Sequence, residues 1–441
     1  MISLNAGNYF YWDSVFRWVS VPGATVVPDS LLSQTFHWSK RYAEMINSEF
    51  DAYVFTLTNS FRKDFVDGLD AWTDLLRKLK LPVVGVGGGV QLGWKDGLEP
   101  GPRVDEATKR FVSELLNHSA TISVRGHTTA AYLKRLGFGD HVVHVTGCPS
   151  LYLYGPDYQI RAKGELTKES KVAMNVAVRD YGFADFLNQT YADYPNFIYI
   201  AQTGDDLATF VWGKDRLVDI KPEFPVHLDH PILRDGKARM FLDTRTWVDF
   251  LRDYDYMAGT RIHGTVAAIL AGVPSTLVSM DQRTHELGEF HRIPTFRRPD
   301  LADDETLASL YAKSDWTAFN AALPELYQNF CDFFDENGIE HIGQPGKANP
   351  EYDEQIRAAK LPGPITPIMT HGQLDQKAVL ARLNWLREGI DETLLCEKRG
   401  YFAPEFPAVP KAARAKQTQR YRPPRTLFEK LRSRLKRLLR R

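Results

Sequence analysis

"YDYMAGTRIHGTVAAILAGVPSTLV", residues 254 to 278, is the stretch on which the reading of the fold turns. Its apolar run, Tyr256 to Gly259, stops at Thr260, and an alanine-rich segment opens at Thr265 and closes at Gly272 and Pro274. A short buried strand therefore gives way to a helix, and "VPSTLVSM" supplies the next strand. At the junction stand a fixed cation, Arg261, and a titratable imidazole, His263. In open α/β sheets the carboxyl edge of the strands is the ligand-binding edge, which makes this junction a candidate site.

The same alternation extends in both directions. "AYVFTLTN", "LPVVGVGGG", "ATISVRG" and "HVVHVTGCPSL" are strand candidates in the first part, separated by helical stretches near 65 to 80, 105 to 117 and 128 to 136. Polar and turn-forming residues take over in "YGPDYQIRAKGELTKES" (154 to 170), after which "KVAMNVAVRD", "NFIYIAQTGDD", "DYMAGTR" and "VPSTLVSM" restart the pattern. This order predicts an α/β chain with parallel, doubly wound sheets. The expected division is 1–160, 161–342 with a closing helix over 316 to 337 in which Pro324 is a potential break, and an extension over 343–441 with one helix near 377 to 388. Two similar α/β units imply a ligand cleft between them.

Three arginines share one position in this pattern. Arg125 in "TISVRGHTTAAYLKRLG", Arg179 in "VAMNVAVRDYGFADFL" and Arg261 each follow an apolar strand and precede a helix. A helix start offers unpaired N–H groups and a favourable dipole to an anion, and a guanidinium matches carboxylate or phosphate bidentately. A small ligand with more than one negative group fits the set, although each arginine taken singly also suits a surface or interdomain salt bridge. Beside Arg261, the imidazolium form of His263 is disfavoured, so a neutral imidazole is expected near physiological pH. "VSMDQRTHELGEF" adds Asp281, Arg283 and His285 after the next strand, with Arg283 a fourth candidate anion contact.

Composition narrows the functional classes. Three cysteines, Cys148, Cys331 and Cys396, are odd in number and far apart, which excludes a disulfide framework or a paired metal-binding motif among them and suits a reducing, cytoplasmic setting. "MISLNAGNYFYWDSVF" has neither a basic n-region nor a continuous apolar core, and no run of eighteen apolar residues occurs. The chain balances 55 Lys and Arg against 55 Asp and Glu, yet thirteen of the basic residues and only one acidic residue, Glu429, fall between Lys411 and Arg441. Leu427, Phe428, Leu431, Leu435, Leu438 and Leu439 recur there at helical spacing, which describes a basic amphipathic helix fit for an anionic membrane surface. A disordered tail, or one packed on the acidic body, is the plainer reading. Nucleic acid is not expected, because no groove-reading module accompanies the tail. "GVGGGVQLG" breaks the dinucleotide fingerprint at Val90, so Gly87 to Gly89 read as a close backbone turn beside the cleft. No motif has metal-ligand spacing, and no cofactor is expected.

"ISVRGHTTAAYLKRLG", "VTGCPSLYL" and "FLRDYDYMAGTRIHGTVAAILAGVPSTLVSM" followed by Arg283 resemble, in order and spacing, the polysaccharide pyruvyltransferase family. The resemblance implies two Rossmann-like doubly wound domains facing a cleft, similar to GT-B glycosyltransferases, here with a C-terminal helical and basic extension. It implies transfer of the enolpyruvyl group of phosphoenolpyruvate to a sugar as a pyruvate ketal, with a sugar or lipid-linked oligosaccharide as acceptor. By the same resemblance His263 is the catalytic acid or base, and Arg261 with Ile262, Arg125 and Arg179 lies near the donor. The chain departs from the family where "FTLTNSFRKDF" (55 to 65) lacks a glycine triplet, with Asn59 or Asp64 standing in for an acidic contact. It keeps a Gly7-Asn8 turn where the family has a substrate-facing loop. A nucleotide-sugar glycosyltransferase and a non-catalytic glycan-binding relative are the alternatives.

Overall fold

The computed structural model describes residues 5–28, 40–178, 183–213, 223–371 and, without 375, 378 and 382, residues 373–384. Ten strands form the two parallel layers. In the first part these are β1 (Tyr53–Thr56), β2 (Val83–Val86), β3 (Ile122–Val124) and β4 (Val143–Val145). β1 pairs with β2 and β3 with β4, both in parallel, and a parallel bridge from Gly88 to Val124 joins the two pairs into the order β1-β2-β3-β4. Helices Val66–Leu76, Pro102–Leu115 and His127–Arg135 connect them, close to the stretches read from periodicity.

The second part holds β5 (Val172–Asn175), β6 (Phe197–Ala201), β7 (Ala238–Met240), β8 (Tyr256–Gly259), β9 (Ser275–Ser279) and β10 (Thr295–Arg297). All pair in parallel, in the order β10-β9-β8-β5-β6-β7. The chain builds outward from β5 to β7 and then returns to the other side of β5, which is the doubly wound Rossmann order. β5, β6, β8 and β9 are buried at every position, so their sequences run apolar or small without alternation. The three-residue edge strands β7 and β10 escape a reading by period because they are too short to show one.

Two apolar cores result. The smaller gathers residues between Ala43 and Leu136, including Phe55, Trp72 and Phe111. The larger fills both faces of the six-stranded sheet and also takes the helix Asn8–Val19, whose Phe10 and Trp18 are fully buried in it. Trp18 lies among Tyr327, Phe330 and Phe334 of the helix Thr317–Glu336. The expected closing helix is thus present, and it runs through Pro324 without ending. Its buried face, from Phe319 to Phe334, holds both sides of the proline against the core and outweighs one lost backbone hydrogen bond. The expected helix near 377 to 388 is described only as scattered helical residues up to 384, and the basic segment 411–441 lies outside the described residues.

Candidate functional site

The reversal of strand order places the crevice between β5 and β8. Asn175 pairs with Gly259 across them, so residues 176–178 and Thr260–His263 leave the sheet side by side. Three contacts join the exits. The Thr260 N–H donates to the Asn175 carbonyl at 3.0 Å, the Ala177 N–H donates to Thr260 Oγ1 at 2.7 Å, and Arg261 Nε donates to the Val176 carbonyl at 3.3 Å. Arg261 then serves as the extended N-cap residue of the helix Ile262–Leu270 and provides no side-chain cap. Ile262 is buried and anchors the turn.

His263 is buried, and its Nε2 has no hydrogen-bond partner among the described residues. Its pKa is pushed down to about 3, first by burial and then by the positive charges of Arg125, Arg283 and Arg261. The imidazolium form is therefore disfavoured, with burial ahead of charge as the cause and Arg261 the last of the three arginines. Gly7 is packed on this ring: a Cβ there would come within 2.6 Å of His263 Cβ and 2.7 Å of its Nδ1. The turn Asn5–Gly7 is held on the end of β6. Ala6 donates its N–H to the Gln202 carbonyl at 2.8 Å, while Gln202 Nε2 and the Gly7 N–H both donate to Asn5 Oδ1. Asn8 opens the following helix, partly buried, beside Gly7.

Arg125 reaches the same place from the other part. It is fully buried after β3, donates from Nε to the Gly87 carbonyl at 3.1 Å, and lies 5.0 Å from the centre of the Tyr11 ring. Gly87 has φ +68, and a Cβ on it would overlap the Tyr11 hydroxyl, so the glycine turn beside the cleft is present as read. Tyr11 in turn donates its hydroxyl to the Val86 carbonyl at 2.6 Å. Arg283, in the first turn of the helix Gln282–Phe290, donates from Nη2 to Asp281 at 3.3 Å. Among the described residues, Arg125 Nη2 and Arg283 Nε are buried without an acceptor. Buried donors are normally satisfied, so unpaired donors around one imidazole mark space suited to a ligand's oxygens.

The remaining candidates divide. Arg179 lies outside the described residues. Asn59 is partly buried, donates to Gln91 Oε1 at 2.6 Å and keeps Oδ1 unpaired. Asp64 has 78% of its side chain exposed in an ion pair with Arg62, so it does not join the buried set. Asp281 and His285 serve structure: Asp281 caps its helix, and His285 contacts Ser279 and Glu289. Asn5 and Gln202 were missed: Gln202 follows β6 as the arginines follow their strands, but it carries no charge to single it out.

The two parts are tied together next to this set. Glu286 accepts from the Thr129 N–H at 3.0 Å and from Thr129 Oγ1 at 2.7 Å, capping the helix His127–Arg135 from the opposite part. The Gln282 N–H donates to the Leu92 carbonyl, and His291 Nε2 accepts from the Cys148 N–H at 2.8 Å. Among the described residues no three His, Cys, Asp or Glu side chains gather as metal ligands would, and no helix is long and apolar enough to cross a membrane.

Comparison with known proteins adds an assignment. Three solved structures resemble the chain in architecture. An uncharacterized protein from Klebsiella pneumoniae has 15% identity, 65% of this chain and 84% of that chain covered, and a TM-score of 0.36. A UDP-N-acetylglucosamine 2-epimerase from Rickettsia bellii has 14% identity, 74% and 84% covered, and a TM-score of 0.40. A glycosyltransferase from Streptomyces nogalater has 14% identity, 75% and 81% covered, and a TM-score of 0.30. No curated protein matches the chain. The family model for polysaccharide pyruvyl transferases matches residues 5–282, from the turn packed on His263 to the first residue of the helix that carries Arg283, and the chain belongs to that family.

Proposed function

We propose that the protein transfers the enolpyruvyl carbons of phosphoenolpyruvate to two hydroxyls of a sugar, forming a pyruvate ketal and releasing phosphate. The observation that carries this reading is the convergence of Arg125, Arg261 and Arg283 on one buried imidazole, with unpaired donors on Arg125 and Arg283 and an unpaired ring nitrogen on His263. Phosphoenolpyruvate brings a carboxylate and a phosphate on a three-carbon frame, which suits several guanidinium groups at once.

In this mechanism the resting imidazole is neutral. A bound trianion offsets the three arginines and raises the His263 pKa, so the donor itself promotes loading of the proton. His263 gives that proton to the methylene carbon, and positive charge develops at C2. One sugar hydroxyl attacks C2, the bond from C2 to the phosphate oxygen breaks, and the second hydroxyl closes the ketal. Of the two hydroxyl protons, one returns to His263 and the other leaves with phosphate. The arginines stabilise the departing charge, and the crevice holds two hydroxyls and the donor in register. No step calls for a redox cofactor. The acceptor is a sugar or a lipid-linked oligosaccharide, and the basic segment 411–441 is the part suited to bring the enzyme to an anionic membrane.

Calorimetric titration of phosphoenolpyruvate, with UDP as comparison, into wild type and Arg261→Ala tests the reading. The expected result is phosphoenolpyruvate binding with net proton uptake, weakened in the variant by about 1.5–3 kcal/mol, the range for hydrogen bonds to charged groups. UDP binding in its place would move the assignment to glycosyl transfer.

A further inference from the structure

Beside the chain segments that carry Arg125 and Arg283 is an open cavity of about 470 Å³, lined by Trp94, Leu98, His127, Thr128, Ala131 and Gln282. Its size falls within the range of small-molecule sites, ~300–1,000 Å³. The segments that line it also carry the donor-site candidates: His127 and Thr128 follow Arg125 at the end of β3, and Gln282 precedes Arg283. The cavity and the arginine set are thus neighbours along both parts of the chain.

Its chemistry is the opposite of the arginine set. None of these six side chains is a fixed charge. Trp94, Leu98 and Ala131 give apolar surface, while His127, Thr128 and Gln282 give hydrogen-bonding groups. Trp94 is held in place rather than loose. The Arg297 guanidinium lies 4.5 Å from its ring centre, and His285 meets it at 5.5 Å in an edge arrangement. Gln282 fixes the floor, with its N–H on the Leu92 carbonyl and Nε2 on Thr128 Oγ1, both at 3.3 Å. A rigid indole beside hydrogen-bonding donors and acceptors suits a pyranose, whose C–H face packs on an aromatic ring while its hydroxyls hydrogen-bond around it.

We propose that this cavity binds an uncharged sugar unit of the acceptor glycan and so presents its hydroxyls toward the donor edge. The proposal rests on the transferase reading above but concerns a separate set of residues. Saturation-transfer NMR with methyl α-glucopyranoside, methyl β-galactopyranoside and methyl α-mannopyranoside tests it on wild type, Trp94→Ala and Ala131→Trp, the last filling the cavity while sparing the indole. At least one pyranoside is expected to bind wild type, roughly tenfold more weakly to either variant. Phosphoenolpyruvate binding, followed by calorimetry on the same samples, stays intact in both variants. Equal pyranoside binding by wild type and Ala131→Trp, or no binding by any of the three glycosides, would overturn the proposal, as would Trp94-dependent binding of uridine instead. Loss of phosphoenolpyruvate binding to wild type with pyranoside binding kept would overturn the donor reading and leave the sugar site standing.

Discussion

After β8 the chain enters its helix through Arg261, and no side chain caps the helix start; after the neighbouring β9 it enters through Asp281, whose carboxylate accepts the Thr284 N–H at 2.7 Å. Burial pushes the Asp281 carboxyl up, but Arg283 and the Thr284 contacts outweigh it and hold the pKa below the usual range. The second turn is closed on itself, and its helix sends Glu286 across to cap another helix. The first is left open, over an imidazole with an unpaired nitrogen. One strand-to-helix design thus supports two ends. The unmade cap at the switch point leaves helix N–H groups without a side-chain acceptor, whereas the helix capped one strand away carries the contact that joins the two parts.

Four changes would break or sharpen this contrast. The largest effect is expected at the open turn, where His263→Ala should lower turnover by about 10²–10⁴-fold, the usual worth of a general acid or base, with a cooperative melt retained. Near-normal phosphate release from a folded variant would remove His263 from the chemistry. A smaller change follows from acid. His263 and His291 both have pKa values lowered to about 3, chiefly by burial, whereas the unfolded chain takes up these protons near 6.5. The unfolded state then binds more protons between about pH 3 and 6.5, so stability falls as pH drops through that window and is flat above it. Each group is worth about 2 kcal/mol at pH 5, and melting curves of His263→Ala or His291→Gln should lose part of the pH slope.

At the closed turn the expected effects are on stability. Glu286→Ala leaves the Thr129 N–H and hydroxyl without their acceptor and should cost about 1–3 kcal/mol in denaturant melts, with Glu286→Gln milder. An unchanged midpoint would mean that this cross-cap contributes nothing. Asp281→Ala removes a helix cap and should cost only ~1 kcal/mol, and it also frees Arg283 from the Asp281 carboxylate, so phosphoenolpyruvate affinity should shift as well. A stability loss with unaltered affinity would assign Arg283 to structure.

Much of the site was legible because it obeys a local rule. A cation directly after an apolar strand and before a small-residue helix marks Arg125 and Arg261 without any coordinates, and their positions hold. Glu286 gave no comparable signal: a lone glutamate inside a helix says nothing of the helix start it will cap in the other part. Asp64 illustrates the reverse, since an acidic residue at a plausible place in the sequence proves to be exposed beside Arg62.

The sequence alone determined the parallel α/β class, most strand and helix positions, the glycine turn at 87 and the arginine-histidine junction, because these follow from period, turn chemistry and local sterics. The tertiary structure decided which strands are neighbours and hence where the switch point falls. It also brought Gly7, on a turn held by Asn5 and Gln202, against His263, and Arg125 to the same imidazole from the other part of the chain. Burial, the largest cause of the neutral imidazole, is a property of the packed molecule, since it depends on what the rest of the chain places around one residue.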